Sequence, residues 1–276
     1  MKIGFIGQGF IGKNYADDFE NRGYEVVRYS KEEPYTQNEG KIKDCDIVFI
    51  AVPTPSLPTG FDYSIVRSVL ALIGEGKTAV IKSTILPGLT SKLQAEFPHI
   101  FIFHSPEFLR EATAAFDAAH PDRNIIGMPL ETEEMKAKAK MVLDVLPKAP
   151  YELLCPSIDA EMVKYAGNCF LFTKVVFMNI LYDTVAKLGG SWDRVKDAVG
   201  HDPRIGLSHM SPVDQNGRGA GGHCFIKDFK AFKDFYKATV GEELSMEVLD
   251  ALEQKNIRLL RESNKDLDLL KGVYGE

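Results

Sequence analysis

Cysteine is scarce in this chain: four residues in 276, at positions 45, 155, 169 and 224. None falls in a Cys-x-x-Cys pair or a Cys/His cluster at zinc spacing. A chain of this length needs no disulfide staples, so reduced thiols in a cytoplasmic protein are expected, and no metal site. Positive charge is not in excess either. Lys and Arg total 33 against 39 Asp and Glu, a net charge of −6, which offers no basic footprint for nucleic acid or an anionic membrane. The N-terminal MKIGFIGQGFIG is apolar, yet it has a single Lys, several glycines and no small-residue cleavage site, so it is not read as a secretion signal. The longest helix-like apolar stretch, YAGNCFLFTKVVFMNILY, is broken by Lys174 and flanked by Lys164. As an uncharged run it reads as too short to span a bilayer. Repeats and low-complexity segments are also missing. What is present is a globular composition, 45% hydrophobic and 26% charged, long enough for one large domain or two ordinary ones.

The first half alternates short apolar runs with helical periodicity. KIGFIG, YEVVRYS, CDIVFIAVP, TAVIKST, HIFIFHSPEFL and RNIIGM read as strands. QGFIGKNYADDFENRG, with Ile11, Tyr15 and Phe19 on one side, reads as a helix stopped at Gly23, and DYSIVRSVLALIGEG as another. FLREATAAFDAA and ETEEMKAKAKMVLDVL lie between and after the last strands. Strands alternating with helices predict a doubly wound parallel sheet covered on both faces. The first turn carries Gly7, Gly9 and Gly12 in the pattern G-x-G-x-x-G, directly after a strand and opening a helix. That context gives the glycines distinct tasks: a tight turn, close approach of backbone to a pyrophosphate, and packing of helix on strand. The loop Gly7, Gln8, Gly9, Phe10, Ile11 and Gly12 is therefore expected to hold a dinucleotide at the helix N-terminus. Ser30 stands where an acidic residue would end the second strand and hold the ribose. Arg28 and Lys31 nearby could favour a 2′-phosphate. NAD is expected, with NADP kept as the alternative.

The second half is helical. PSIDAEMVKYAGNCFLFTKVVFMNILYDTVAKLGG predicts one helix of about 40 Å, capped by Ser157 or Asp159 and apolar nearly all round. It reads as an axis between domains and between subunits, so a homodimer through residues 158–188 is expected. SWDRVKDAVG and segments near 224–239 and 242–262 supply further helices. The domains are placed at 1–153, a Rossmann-type dinucleotide-binding unit, and 154–276, a helical unit.

Polar residues in apolar surroundings mark the candidate site. Lys164 and Asn168 are four apart on the long helix, hence on one face. Glu107 and Glu111 show the same spacing in SPEFLREA, and Thr84 follows a strand in KSTILPG; both lie where α/β sheets bind ligands. Cys224 and Asp228 are four apart in GRGAGGHCFIKD. A helix beginning at Cys224 would favour its thiolate, and the glycines before it would let substrate approach. By itself a lone cysteine in such a place reads equally as a buried thiol or a nucleophile.

Taken in order, MKIGFIGQGFIG, AVPTPS, KSTILPG, SPEFLREATA, AEMVKYAGNCFLF, DPRIGLSHM and GAGGHCFIKD resemble the UDP-glucose/GDP-mannose dehydrogenase family along nearly the whole chain. The resemblance implies a nucleotide-sugar dehydrogenase that oxidises a primary alcohol by four electrons to a uronate, with Cys224 as nucleophile. It implies that Lys164 and Asn168 contact the sugar and stabilise oxyanions, that Glu111 is the acid/base, and that Thr84 and Asp228 support the hydrolytic water. Thr54, Thr84, Glu111 and Lys227 would contact cofactor; Ser30 departs from the family's ribose-binding aspartate, though its hydroxyl can still hydrogen-bond the ribose. Glu107, Phe108, Leu109, the loop 212–216 and Gly221 would contact the nucleotide sugar, and Arg204 would reach the neighbouring subunit's substrate. Ala220 departs from the family's aromatic at that position, and the family's further C-terminal nucleotide-binding domain does not follow in these 276 residues. Two other readings are carried alongside: a two-electron 3-hydroxyacid-type dehydrogenase, and a non-catalytic binder of sugar nucleotide or cofactor.

Overall fold

The computed structural model describes residues 1–214 and 217–275, and the chain forms two compact units. The first is Met1–Thr54 with Asp62–Lys164; the second is Pro55–Phe61 with Tyr165–Glu276. The division falls inside the long helix rather than at 153, because the helix starts on the first sheet and ends in the second unit's core. A boundary read from composition cannot see a helix shared in this way.

In the first unit β1 (Lys2–Ile6) leads into α1 (Phe10–Asn21) and β2 (Glu25–Tyr29), and β3 (Ile47–Ile50) follows. The short β4 (Ser56–Leu57) and β5 (Gly60–Phe61) pair as a hairpin that belongs to the second unit. The chain then gives α2 (Ser64–Leu70), β6 (Thr78–Ile81), α3 (Leu89–Glu96), β7 (Phe101–His104), α4 (Ala114–Ala119), β8 (Arg123–Met128), α5 (Glu133–Val145) and β9 (Tyr151–Pro156). The sheet order is β2-β1-β3-β6-β7-β8-β9. IVFI in β3 and TAVI in β6 are buried at every position, as strands covered on both faces must be. Phe5, Phe19 and Phe49 form the centre of the core, with ring centroids 5.1 to 5.3 Å apart.

The sheet is mixed. β8 runs antiparallel to β7, and β9 pairs parallel with β8. A short apolar run such as IIGM specifies burial but not direction, so the reversal is absent from the sequence pattern. β9 lies across the expected domain boundary, and its first residues are exposed. α2 is shorter than DYSIVRSVLALIGEG suggests, since the chain turns after Leu70.

α6 spans Ser157–Lys187, 31 residues. By length and composition it is apolar enough to cross a bilayer, which corrects the sequence expectation. Two of its buried polar residues nonetheless bond to protein groups. Lys174 donates to the carbonyls of Ile205 and Gly206 at 2.8 and 3.1 Å, and Asn179 to that of Val175 at 2.9 Å. In the second unit α6 is followed by α7 (Trp192–Gly200), a ribbon of β10 (Val213–Asp214) and β11 (Gly217–Arg218), α8 (Gly222–Thr239), α9 (Glu243–Glu262) and α10 (Leu267–Tyr274). Phe172 of α6 stacks on Phe229 of α8 at 3.9 Å. Val175, Val176 and Ala220 complete that core.

Candidate functional site

The glycine loop of the first unit joins β1 to α1. Gly7 has φ +90°, and a Cβ there would stand 2.1 Å from the Ala51 carbonyl oxygen; at Gly12 it would stand 1.9 Å from that of Gly7. Both positions therefore exclude side chains. A Cβ at Gly9 would meet nothing within 4 Å, and α1 has no side-chain cap. The loop thus keeps an open face beside the α1 N-terminus, at the place where the sheet order reverses between β2 and β3. Gln8 donates to the Gly7 carbonyl at 3.1 Å and Phe10 is exposed, whereas Ile11 packs against the core.

Beyond β2, Ser30 holds a local turn. Its hydroxyl donates to the Glu32 carbonyl at 2.9 Å and accepts from the Glu32 amide at 3.2 Å. Arg28 is paired with Asp17 and Glu20, each at 2.7 Å. With its guanidinium committed to two carboxylates, Arg28 does not fit the sequence reading in which it selects a 2′-phosphate. Thr54 is buried and donates to the Thr84 carbonyl at 2.7 Å, and Ser83 bonds both backbone groups of Val52. These bonds lace the loop after β3 to the loop after β6, and Thr84 is half-buried between them.

Glu107 and Lys164 are both buried within the first unit. Lys164 Nζ donates to Glu107 Oε1 and to the Glu107 carbonyl, each at 2.8 Å, and Oε2 accepts from the Leu109 amide at 2.8 Å. Phe108 is half-buried, with the Arg123 guanidinium 3.8 Å from its ring centroid. Glu111 does not join this group. Residues 105–110 are irregular and Glu111 opens a short 3-10 turn, exposed. The reason is Asp117, which accepts from the Arg110 amide and the Thr113 hydroxyl at 2.9 Å and pins that turn. These bonds hold the Asp117 carboxyl down at about 2, the Arg110 side chain foremost. The two glutamates therefore share no helix face, contrary to their spacing.

The sequence reading missed Lys82 and His104. Both follow or end strands that look like plain apolar runs, and both are buried. Lys82 Nζ donates to Ser105 Oγ at 3.0 Å and lies 4.6 Å from the centroid of the Tyr15 ring. Burial pushes its ammonium down to about 7, partly opposed by Glu107. Burial, then the Lys82 charge, pushes His104 down to about 3. The only signal for them was a charged or titratable residue inside KST and FHS.

In the second unit Asn168 Nδ2 donates to Asp228 Oδ2 at 2.6 Å, and Lys227 Nζ pairs with Asp228 Oδ1 at 2.5 Å. The Lys227 carbonyl accepts from Ser56 Oγ at 3.0 Å. Asp228 is 1% exposed. Cys224 is exposed in the first turn of α8, one turn before Asp228; the helix starts at Gly222, two residues before the expected start at Cys224, and the thiol sits at its N-terminal end. The neighbouring thiol at Cys169 is pushed far up by burial, and further by the Asp228 charge.

Arg204 makes a two-pronged pair with Asp202 at 3.0 and 2.6 Å and its side chain is 86% exposed. Of the loop 212–216, residues 215 and 216 lie outside the described residues. Gly221 is filled from the protein side, for a Cβ there would stand 2.0 Å from Asp266 Oδ2. Ala220 is buried in the Phe172–Phe229 core, so the missing aromatic at that position concerns core packing.

Residues 28–144 match the NAD binding domain, and residues 158–258 the central domain, of the UDP-glucose/GDP-mannose dehydrogenase family. The chain is 34% identical over 203 residues to the UDP-glucose 6-dehydrogenase of Rickettsia conorii, an alignment covering 70% of this chain and 45% of that protein. It is 33% identical over 211 residues to UDP-glucose 6-dehydrogenase YwqF of Bacillus subtilis, covering 71% and 46%. The chain thus spans about half the length of these relatives. Among solved structures, the UDP-glucose dehydrogenase of Pyrobaculum islandicum superposes with a TM-score of 0.81 at 29% identity, over 94% of this chain and 68% of that one. A Mycobacterium tuberculosis 3-hydroxyisobutyrate dehydrogenase shares the fold at 17% identity, with a TM-score of 0.72 over 99% and 98%.

Proposed function

Because the chain belongs to the UDP-glucose/GDP-mannose dehydrogenase family, we propose that it oxidises the primary alcohol of a UDP-sugar, UDP-glucose foremost, to the uronate. The observation that carries this reading is the exposed Cys224 in the first turn of α8, one turn from an Asp228 held by Asn168 and Lys227. A thiol so presented suits covalent capture of an aldehyde. NAD, whose pyrophosphate the open face at Gly9 and the α1 N-terminus fit, would accept a hydride at each of the two oxidations.

The chain's own residues do the rest. The Cys224 thiolate adds to the aldehyde carbon and gives a thiohemiacetal, which at the next oxidation level is a thioester. Water attacks the thioester carbonyl, the carbon–sulfur bond breaks, and the thiolate returns. Asn168 Nδ2 is a donor for the oxyanion that develops on the substrate oxygen. Asp228, buried and held on both oxygens, orients and takes a proton from the attacking water. The family resemblance assigns Lys164 and Glu107, paired within the first unit, to the sugar alcohol and its oxyanion. Over the reaction one alcohol, one water and two NAD give one carboxylate, two NADH and three protons. Glu111, exposed on its turn, is a weaker candidate for the acid/base than Asp228.

The test is to count NADH released per mole across a panel of UDP- and GDP-sugars, with the Cys224→Ser variant beside the parent. Two NADH per substrate from the parent, with turnover in the variant lower by a factor of about 10³ or more, supports the reading. Full turnover in the variant would sink the thioester route. One NADH per substrate marks a two-electron dehydrogenase instead, and cofactor binding without any NADH marks a non-catalytic binder.

A further inference from the structure

The glycine loop before Cys224 is gripped by a segment that lies far along the chain. Asn256, 2% exposed, accepts from the Ala220 amide at 2.7 Å and donates to the Ala220 carbonyl at 3.0 Å. Ser263 Oγ accepts from the Arg218 amide at 2.8 Å. Asp266 Oδ2 accepts from the Gly222 amide at 2.7 Å, across 44 residues. On the other side Arg218 Nε donates to Asn179 Oδ1 at 2.8 Å, and its Nη2 pairs with Asp183 at 2.7 Å.

The glycines match these partners. A Cβ at Gly217 would stand 2.5 Å from Lys265 Cβ, at Gly219 3.0 Å from Asn256 Oδ1, and at Gly221 2.0 Å from Asp266 Oδ2. The missing side chains at 217, 219 and 221 thus admit the chain's own 256–266 segment, rather than leaving space for substrate.

The contact at Gly222 has a particular consequence. A helix usually takes its N-terminal cap from the side chain of its own N-cap residue. The N-cap of α8 is Gly221, which has none. Asp266 supplies the acceptor in its place, two residues before Cys224.

We propose that Asp266 and Asn256 are positioning residues for Cys224: Asp266 caps α8 from a distance, and Asn256 fixes the loop that leads into it. The functional weight of this rests on Cys224 being the nucleophile, but the positioning can be read without any turnover. The experiment measures alkylation of each cysteine by iodoacetamide, followed by mass spectrometry of the cysteine-containing peptides, in the full chain. Asp266→Asn keeps an acceptor oxygen at the cap, whereas Asp266→Ala removes it. Cys224 in Asp266→Asn should react at least as fast as in the parent. In Asp266→Ala and Asn256→Ala it should react about fivefold more slowly, the population effect of losing one cap, while buried Cys45 and Cys155 stay protected. Ser263→Ala, a milder change at Arg218, should shift Cys224 alone and in the same direction.

A parent-like rate at Cys224 in Asp266→Ala would overturn the proposal. So would all four cysteines becoming reactive together, because the two residues would then serve the fold as a whole. If a nucleotide-sugar panel gives no NADH while the alkylation pattern holds, the reaction fails and the positioning stands.

Discussion

Lys164 and Glu107 form a buried ion pair, with Nζ 2.8 Å from Oε1 and from the Glu107 carbonyl oxygen. A buried charge that loses its partner costs far more than an exposed one, because the low-dielectric surroundings give it nothing in return. Glu107→Gln should lower the stability of the first unit by about 3 kcal/mol, read by urea unfolding. The double variant Glu107→Leu with Lys164→Met should cost less than either single change. Equal losses in all three would remove the ion pair as the cause.

The atoms nearest a Cβ at Gly12 belong to the Gly7 backbone, so no neighbour can move aside cheaply for it. With the Gly7 oxygen 1.9 Å from the position it would take, Gly12→Ala should open the β1–α1 turn. Stability should fall by about 2 kcal/mol, and a fluorescence titration should show loss of NADH binding. Gly9→Ala meets nothing within 4 Å, so it should keep the fold and weaken only cofactor binding. Unchanged binding in both variants would remove the loop as the cofactor site.

The buried His104 and Lys82 give a pH dependence with a definite sign. His104 titrates near 3 when folded and 6.5 when unfolded, so between those values the unfolded chain binds the extra proton. Stability must then fall as pH drops through that window, by at most about 1.4 kcal/mol per pH unit from this residue. Lys82 acts in the same sense between about 7 and 10.5: stability rises with pH until the unfolded lysine also loses its proton. His104→Leu should flatten the acid limb of a urea-unfolding profile, and Lys82→Met the alkaline limb. Parallel profiles for parent and variants would contradict both assignments.

α6 leaves Phe170, Phe177 and Ile180 exposed at 69%, 52% and 42%, a spacing that places them along one side of the helix. A homodimer through 158–188 would cover them. Sedimentation at micromolar protein should give a dimer that Phe177→Glu dissociates. A monomeric parent would end the homodimer reading, and with it the cross-subunit role of Arg204.

Much of this was legible in the sequence, and the parts that were not share a cause. Glu107 and Glu111 looked like a pair because four-residue spacing implies a shared helix face, yet the chain between them is irregular and Asp117 turns it away. Lys82 and His104 were hidden because apolar strand runs on either side mask single polar residues. The glycines at 217, 219 and 221 suggest space for a ligand because a glycine in sequence shows a missing side chain but not what fills the gap.

The sequence alone determined the βαβ start, the glycine turn at 7–12, the long helix and the place of Cys224 at a helix N-terminus. These depend on local sterics and on periodicity, which neighbouring residues carry within themselves. Only the tertiary structure decided the direction of β8 and β9, the pairing of Lys164 with Glu107 across 57 residues, and the capping of Gly222 by Asp266 across 44. Each of those turns on which distant segments come within hydrogen-bond reach, and that is set by how each unit's own core packs.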